Sequence, residues 1–230
     1  MSLILNIDTA TEKASICIAS GTQVIASLEN EHQKDHALWI HSAIRQILEE
    51  SQNTLHDLQA VAVTAGPGSY TGLRVGLATA KGICYALNLP LITENTLRVM
   101  ALALQQIYRE KDVVAGRLFG PMIDARRMEV FAALFTMDLR EEMPSTALVV
   151  DKDTFADYLS LHEIVFAGNG SKKFRQLVSH SNAVFTELRF SAEHLALLSY
   201  TKFMAREFSD VAYTEPLYLK EFYTVSKKSE

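Results

Sequence analysis

The sequence predicts an α/β fold in two related lobes, each a mixed sheet with flanking helices, and two repeated patterns carry that expectation. An apolar strand ending in Asp, a short turn and a second strand occur at 3–8 and 14–19, and again at 119–124 and 128–135. An apolar strand feeding a Gly-x-Gly-Ser loop and then a helix occurs at 61–69, and again at 164–171. Recurrence of both patterns in the same order is the signature of a duplicated unit. The boundary falls near residue 110, giving a lobe over 1–110 and a smaller one over 111–230. The last helix and strand are expected to pack back on the first lobe.

In chain order, Gly21-Thr22 turns the second strand into a third at Val24–Leu28, so the chain opens as a meander. From His36 to Glu50, Ala37, Ile40, Ile44, Ile47 and Leu48 recur at helical spacing, and Leu38 with Trp39 widens the apolar stripe. Strand Ala60–Ala65 leads into Gly66-Pro67-Gly68-Ser69 and a helix from Thr71 to Leu87, which stops at Asn88 shortly before Pro90. Strand Leu91–Thr93 and helix Thr96–Tyr108 complete the first lobe. Helix Ala192–Phe208, a strand at Pro216–Lys220 and a frayed tail at Ser226–Glu230 close the second.

Composition narrows the function. The chain is 48% apolar and 21% charged, as for a globular protein with a real core, and it has neither a bilayer-length apolar run nor a leader-like start, so a cytoplasmic location is expected. Cys17 and Cys84 stand far apart without a CxxC or a nearby His, which suggests neither a disulfide framework nor a zinc site. The net charge of −5 is spread along the chain, and only Arg126-Arg127, Lys172-Lys173 and Lys227-Lys228 form basic doublets. Direct nucleic-acid binding is not favoured on that count.

The candidate sites are few. A strand, a Gly-rich loop and a helix N-terminus can hold an anion, but no Walker Lys-Ser/Thr pair follows, and a tight turn capped by Ser69 or Thr71 explains the same residues. Asp8, Thr9 and Thr11 in the first turn, with Asp124 in the second, either ligate magnesium and contact phosphates across a cleft or are simply turn residues. His32 and His36 have the spacing of two ligands on one helical turn, yet no third ligand is evident. Gly68, Gly72, Gly76 and Ala80 remove bulk along one line of the second helix, while Arg74, Lys81 and Asn88 mark its one polar stripe. A helix apolar on most of its circumference is expected to be buried on more than one side. Together with the broad stripe of the first helix, this predicts a protein–protein interface built on Trp39, Ile40, Leu73, Gly76, Leu77, Ala80 and Cys84.

Four segments in order, Ile7-Asp8-Thr9-Ala10-Thr11, Gly66 to Gly76, Asp124 to Phe131 and Glu215 to Lys220, resemble the bacterial TsaB (YeaZ) family. The resemblance spans essentially the whole chain and implies an actin-like ATPase (ribonuclease H-like) fold. It implies a part in threonylcarbamoyl modification of the tRNA adenosine beside the anticodon, as partner of the catalytic subunit TsaD and with the ATPase TsaE, and a homodimer when alone. TsaD carries metal-binding histidines where this chain has Thr93-Glu94-Asn95-Thr96-Leu97-Arg98, so the resemblance implies no catalytic residue or metal site here. Asp8, Thr9 and Thr11 are then a vestige of a cofactor site, ATP/ADP and metal belong to the partner subunits, and tRNA is met only through the complex. Two rivals remain at this point: an ATP-dependent kinase or carbamoyl-transfer enzyme using Asp8 and Asp124, and a glycoprotease-like metallopeptidase using His32 and His36.

Overall fold

The computed structural model describes residues 2–31, 35–109 and 114–220. The first sheet contains β1 (Leu3–Asp8), β2 (Ala14–Ser20), β3 (Gln23–Asn30), β4 (Ala60–Gly66) and β5 (Leu91–Asn95), in the order β3-β2-β1-β4-β5. β1 and β2 pair antiparallel, as do β2 and β3, whereas β4 and β5 run parallel to β1. The second sheet contains β6 (Leu118–Asp124), β7 (Glu129–Phe135), β8 (Glu141–Val149), β9 (Ile164–Ala167) and β10 (Ala183–Phe185), in the order β10-β9-β6-β7-β8. Reversed, that is the first topology again: a three-stranded meander whose first strand continues into two parallel strands.

Both faces of the first sheet are covered, so its central strands are buried throughout rather than alternating with solvent. Leu5, Ile7, Val61 and Val63 meet α1 (His36–Glu50) and α2 (Tyr70–Leu87) through Ile40, Ile44, Ile47, Leu77, Ala80 and Cys84. On the other face Ile4, Ala60, Ala62 and Ile92 meet Val99 of α3 (Thr96–Tyr108) and Leu195 of α6 (Ala192–Ala205). Burying each large aliphatic side chain here contributes roughly 1.5–3 kcal/mol. α3 also reaches the second sheet, where Leu97, Met100, Ala101 and Leu104 pack with Phe119, Ile123, Ala133 and Phe135. It is the wall shared by the two lobes. The short helices α4 (Ala156–Leu161) and α5 (Ser171–Arg175) cover the far side of the second sheet, around Phe155, Phe166 and Phe174.

Local signals explain the helix ends. Ser69 Oγ accepts from the Gly72 amide at 3.3 Å to cap α2, and Asn88, in the left-handed region at φ 54°, returns its amide to Cys84 O. Asn95 Oδ1 accepts from Leu97 N at 2.8 Å and starts α3.

The second side of α2 is covered by the chain itself. Residues 212–220 run along its polar stripe, where Lys81 Nζ donates to Ala212 O at 3.1 Å and Thr214 O at 2.9 Å. Arg74 Nε donates to Tyr218 Oη at 2.9 Å. The expected strand at 216–220 does not form: a single bond, Leu217 N to Ala65 O at 2.7 Å, ties this segment to β4, and no ladder follows. α6 stops at Ala205 rather than Phe208, with Arg206 turned into the left-handed region at φ 56°. β8, α4 and β10 were not anticipated. The tail at 226–230 lies outside the described residues.

The small-residue line of α2 receives a backbone from within the lobe, not from a partner. A Cβ on Gly68 would lie 2.2 Å from Ala10 O and one on Gly72 would lie 2.1 Å from Thr9 O, whereas one on Gly82 would meet nothing within 4 Å. Gly72→Ala is expected to destabilise the protein by roughly 1–3 kcal/mol or more through overpacking. Gly82→Ala is expected to stabilise it by about 0.5–1 kcal/mol through helix propensity. Urea unfolding of the two variants beside the parent measures both.

Candidate functional site

The ends of β1 and β6 face each other across the gap between the sheets. Each ends in an aspartate, Asp8 or Asp124, and each is followed by a turn into the next strand. Against each turn lies a glycine elbow from the fourth strand of the same lobe. Ser69 N donates to Ala10 O at 2.7 Å in the first lobe, and Gly170 N donates to Met122 O at 3.2 Å in the second. Gly168 sits at φ +96°, and a Cβ there would lie 2.3 Å from Met122 O, so the elbow approaches as closely as only glycine permits. Between the lobes is a cleft of about 600 Å³ lined by Thr11, Glu12, Ser69, Tyr70, Asp124 and Arg126 among others.

The residues expected to serve a nucleotide are committed within the protein. Asp8 is 1% exposed; its Oδ1 accepts from Thr64 Oγ1 at 2.7 Å and from Ala10 N at 3.1 Å. Burial pushes its pKa above the ordinary carboxylate value, against the lowering effect of those two bonds. Thr9 is fully buried and donates to Gly72 O at 2.7 Å, and Thr11 Oγ1 donates to Lys13 O at 3.3 Å. Asp124 is exposed and ion-paired to Lys173 at 2.8 Å. Partial burial works to raise its carboxyl, but Lys173 and the Arg126 amide outweigh this and hold it below the usual range. Only Thr11 and Asp124 of the four line the cleft. Asp8 Oδ1 and Thr9 Oγ1 are thus occupied within the first lobe, and Asp124 Oδ1 is held by Lys173 and the Arg126 amide.

Metal-ligand alternatives fare no better. His36 is buried at 2% exposed, and burial lowers its pKa; His32 lies outside the described residues. Among the described residues no group of three or more His, Cys, Asp or Glu side chains is placed to hold a metal ion. Both thiols are buried, and burial pushes them up, Cys84 to about 11, so neither is a thiolate at neutral pH.

Six of the seven expected interface residues need correcting. Ile40, Leu73, Gly76, Leu77, Ala80 and Cys84 are at most 3% exposed or buried in the helix, and they face their own sheet and the Thr9-Ala10 turn. Hydrophobic spacing marked the inner face of each helix, and burial within the chain satisfies it. Trp39 alone is half-buried. The outer faces carry other residues: Leu38 and Tyr85, 82% and 85% exposed, with Ala78 and Gly82 beside them on α2. A groove of about 310 Å³ between the helices is lined by His41, Ile44, Arg45, Leu48, Leu55 and Ile83. Sequence reading also missed Thr64, the partner of Asp8, although strand parity places it on the Asp8 side of β4.

Two lobes of this repeated topology around a cleft define the actin-like ATPase fold. Two YeaZ-type structures from Pseudomonas aeruginosa share it: one titled as an uncharacterized protein with similarity to peptidase YEAZ (TM-score 0.81, 24% identity) and one titled YeaZ (0.77, 23%). They cover 96% and 95% of this chain, and each is covered whole. The polyphosphate/ATP-glucomannokinase of Arthrobacter is a distant likeness, with TM-score 0.50 and 11% identity over 90% of this chain and all of its own. The family model TsaD, described as tRNA N6-adenosine threonylcarbamoyltransferase, matches residues 23–223. The tRNA threonylcarbamoyladenosine biosynthesis protein TsaB of Escherichia coli K12 is 30% identical over 94% of both chains. That of Bacillus subtilis 168 is 26% identical over 94% of this chain and 93% of its own. The chain belongs to the TsaD family, in its TsaB branch.

Because Asp8 is held above its ordinary value, the unfolded chain releases this proton first, and its burial costs stability increasingly as pH rises from about 4. Asp8→Asn keeps an oxygen acceptor for Thr64 and Ala10. It is expected to match or exceed the parent in stability at pH 7, with the difference shrinking towards pH 4.5. A loss above about 1 kcal/mol at pH 7 in urea unfolding would show that the charge is required.

Proposed function

We propose that this chain acts in tRNA threonylcarbamoyladenosine biosynthesis as a noncatalytic subunit that pairs with TsaD through the outer faces of α1 and α2. The observation that carries the reading is the pair of apolar side chains, Leu38 and Tyr85, left on adjacent helices whose inner faces are already satisfied. With the groove between those helices, whose lining includes Ile44, Leu48, Leu55 and Ile83, they form the apolar part of an interaction face. The same face serves a homodimer when TsaD is absent. The burial of Asp8 and Thr9 supports the noncatalytic part: neither lines the cleft, and Thr9 would have to leave its buried bond to Gly72 O to meet a ligand. ATP/ADP and metal then act on the partner subunits, TsaD and TsaE.

Charge at Leu77 or Ala80 would disrupt the lobe, since both are buried in it, and would leave pairing untested. Ala78→Arg and Tyr85→Glu act on the exposed face instead. Each is expected to abolish co-purification with TsaD and to remove tRNA threonylcarbamoylation by the reconstituted system, with a melting temperature within a few degrees of the parent. Full complex formation by both variants sinks the assignment of this face. Sustained ATP turnover by the purified chain, lost in Asp8→Ala, would instead favour an independent enzyme.

A further inference from the structure

The charge total of −5 hides a local reversal of sign in the second lobe. A cavity of about 670 Å³ between the Gly168–Ser171 elbow and the segment 185–189 is lined by Lys172, Arg175 and Arg189, with Glu187 as its one carboxylate. All three cations are exposed, and among the described residues none forms an ion pair. Lys173 behaves differently: it turns inward to Asp124 and the Glu129 carbonyl, so one half of the doublet is structural and the other is free. Half-buried Phe185 lines the same cavity, with the Arg175 guanidinium 5.9 Å from its ring centroid.

Asn169 stands between this cavity and the interlobe cleft and lines both. On the cleft side of this trough Arg126 lines the wall beside Glu12 and Asp124, and Arg127 follows it in the β6–β7 turn; both arginines are exposed and in the left-handed region, at φ 69° and 48°. Such positions favour Gly or Asn, and two consecutive arginines there hold the backbone under strain.

We propose that this trough is a binding surface for the sugar–phosphate backbone of RNA, with Phe185 as a stacking platform, and that through it the chain contacts tRNA directly. The proposal rests on the role in tRNA modification given above. Unpaired cations spread along a trough, interleaved with an aromatic ring, suit a polyanion with exposed bases.

Filter-retention binding of tRNA over a salt series tests this, with the chain alone and with the chain assembled with TsaD. The triple variant Lys172→Glu, Arg175→Glu, Arg189→Glu is expected to bind at least about tenfold more weakly. The slope of log affinity against log salt should fall by about two to three, while TsaD assembly stays at the parent level. A charge-matched control, Arg109→Glu, Arg140→Glu, Lys152→Glu, is expected to bind as the parent does. Should the triple variant misfold, Arg189→Glu alone reads the same slope, with an expected fall of about one. Parent-like affinity and slope in the trough variants overturn the proposal, and so does an equal loss in the control. Displacement of tRNA by micromolar ATP also overturns it, since the cavity would then be a nucleotide site. A loss seen with the chain alone, even where no TsaD complex forms, supports the trough and counts only against the partner reading.

Discussion

The structure depends on one kind of contact made twice, the close approach of a glycine elbow to the end of a neighbouring strand. In the first lobe Gly68 and Gly72 lie directly against the carbonyls of Ala10 and Thr9, and in the second Gly168 and Gly170 lie against Met122 and Ile123. No side chain fits in either gap. The contact holds the start of the helix after each elbow against the strand end that carries the aspartate. It also explains the fate of Asp8 and Thr9. With the elbow this close, Thr9 reaches Gly72 O and Asp8 meets Thr64, so both lie behind the cleft wall rather than on it.

Outside the cleft the molecule carries further surfaces suited to binding. Two such surfaces differ in kind. The outer faces of α1 and α2 expose apolar Leu38, Ala78 and Tyr85 among polar residues such as His41, Arg45 and Glu49, which suits a protein partner. The trough of the second lobe is cationic and open. On the proposed reading one surface holds protein and the other holds RNA, and neither needs the ancestral phosphate chemistry of the fold.

Much of this was legible from residue patterns. The strand-ending aspartates and the two Gly-x-Gly-Ser loops announced the duplicated lobes, and α1, α2 and α3 follow their periodic positions almost to the residue. β8 escaped because it is an edge strand: Glu141 and Glu142, then Pro144, break the apolar alternation that strands are recognised by, and solvent on one side tolerates them. The interface residues were misplaced for a deeper reason. Spacing shows that a side of a helix is buried, not what buries it; here β4, the Thr9-Ala10 turn and the segment 212–220 do so. The basic trough was invisible because its members, Lys172, Arg175 and Arg189 with Arg126 nearby, are spread along the chain, and only the fold of the second lobe gathers them.

α6 gives the lobes an unequal history during synthesis. Its Ala192, Leu195 and Ala196 seal the face of the first sheet over Ile4, Ala60, Ala62 and Cys17, yet they are made only after the whole second lobe. On the ribosome this face has only α3 to cover it until residue 192 is made, while the later lobe holds all five of its strands by residue 185. The lobe that begins the chain is therefore completed last, and a nascent chain stalled before residue 192 would leave the part of the sheet beyond α3 open to chaperones.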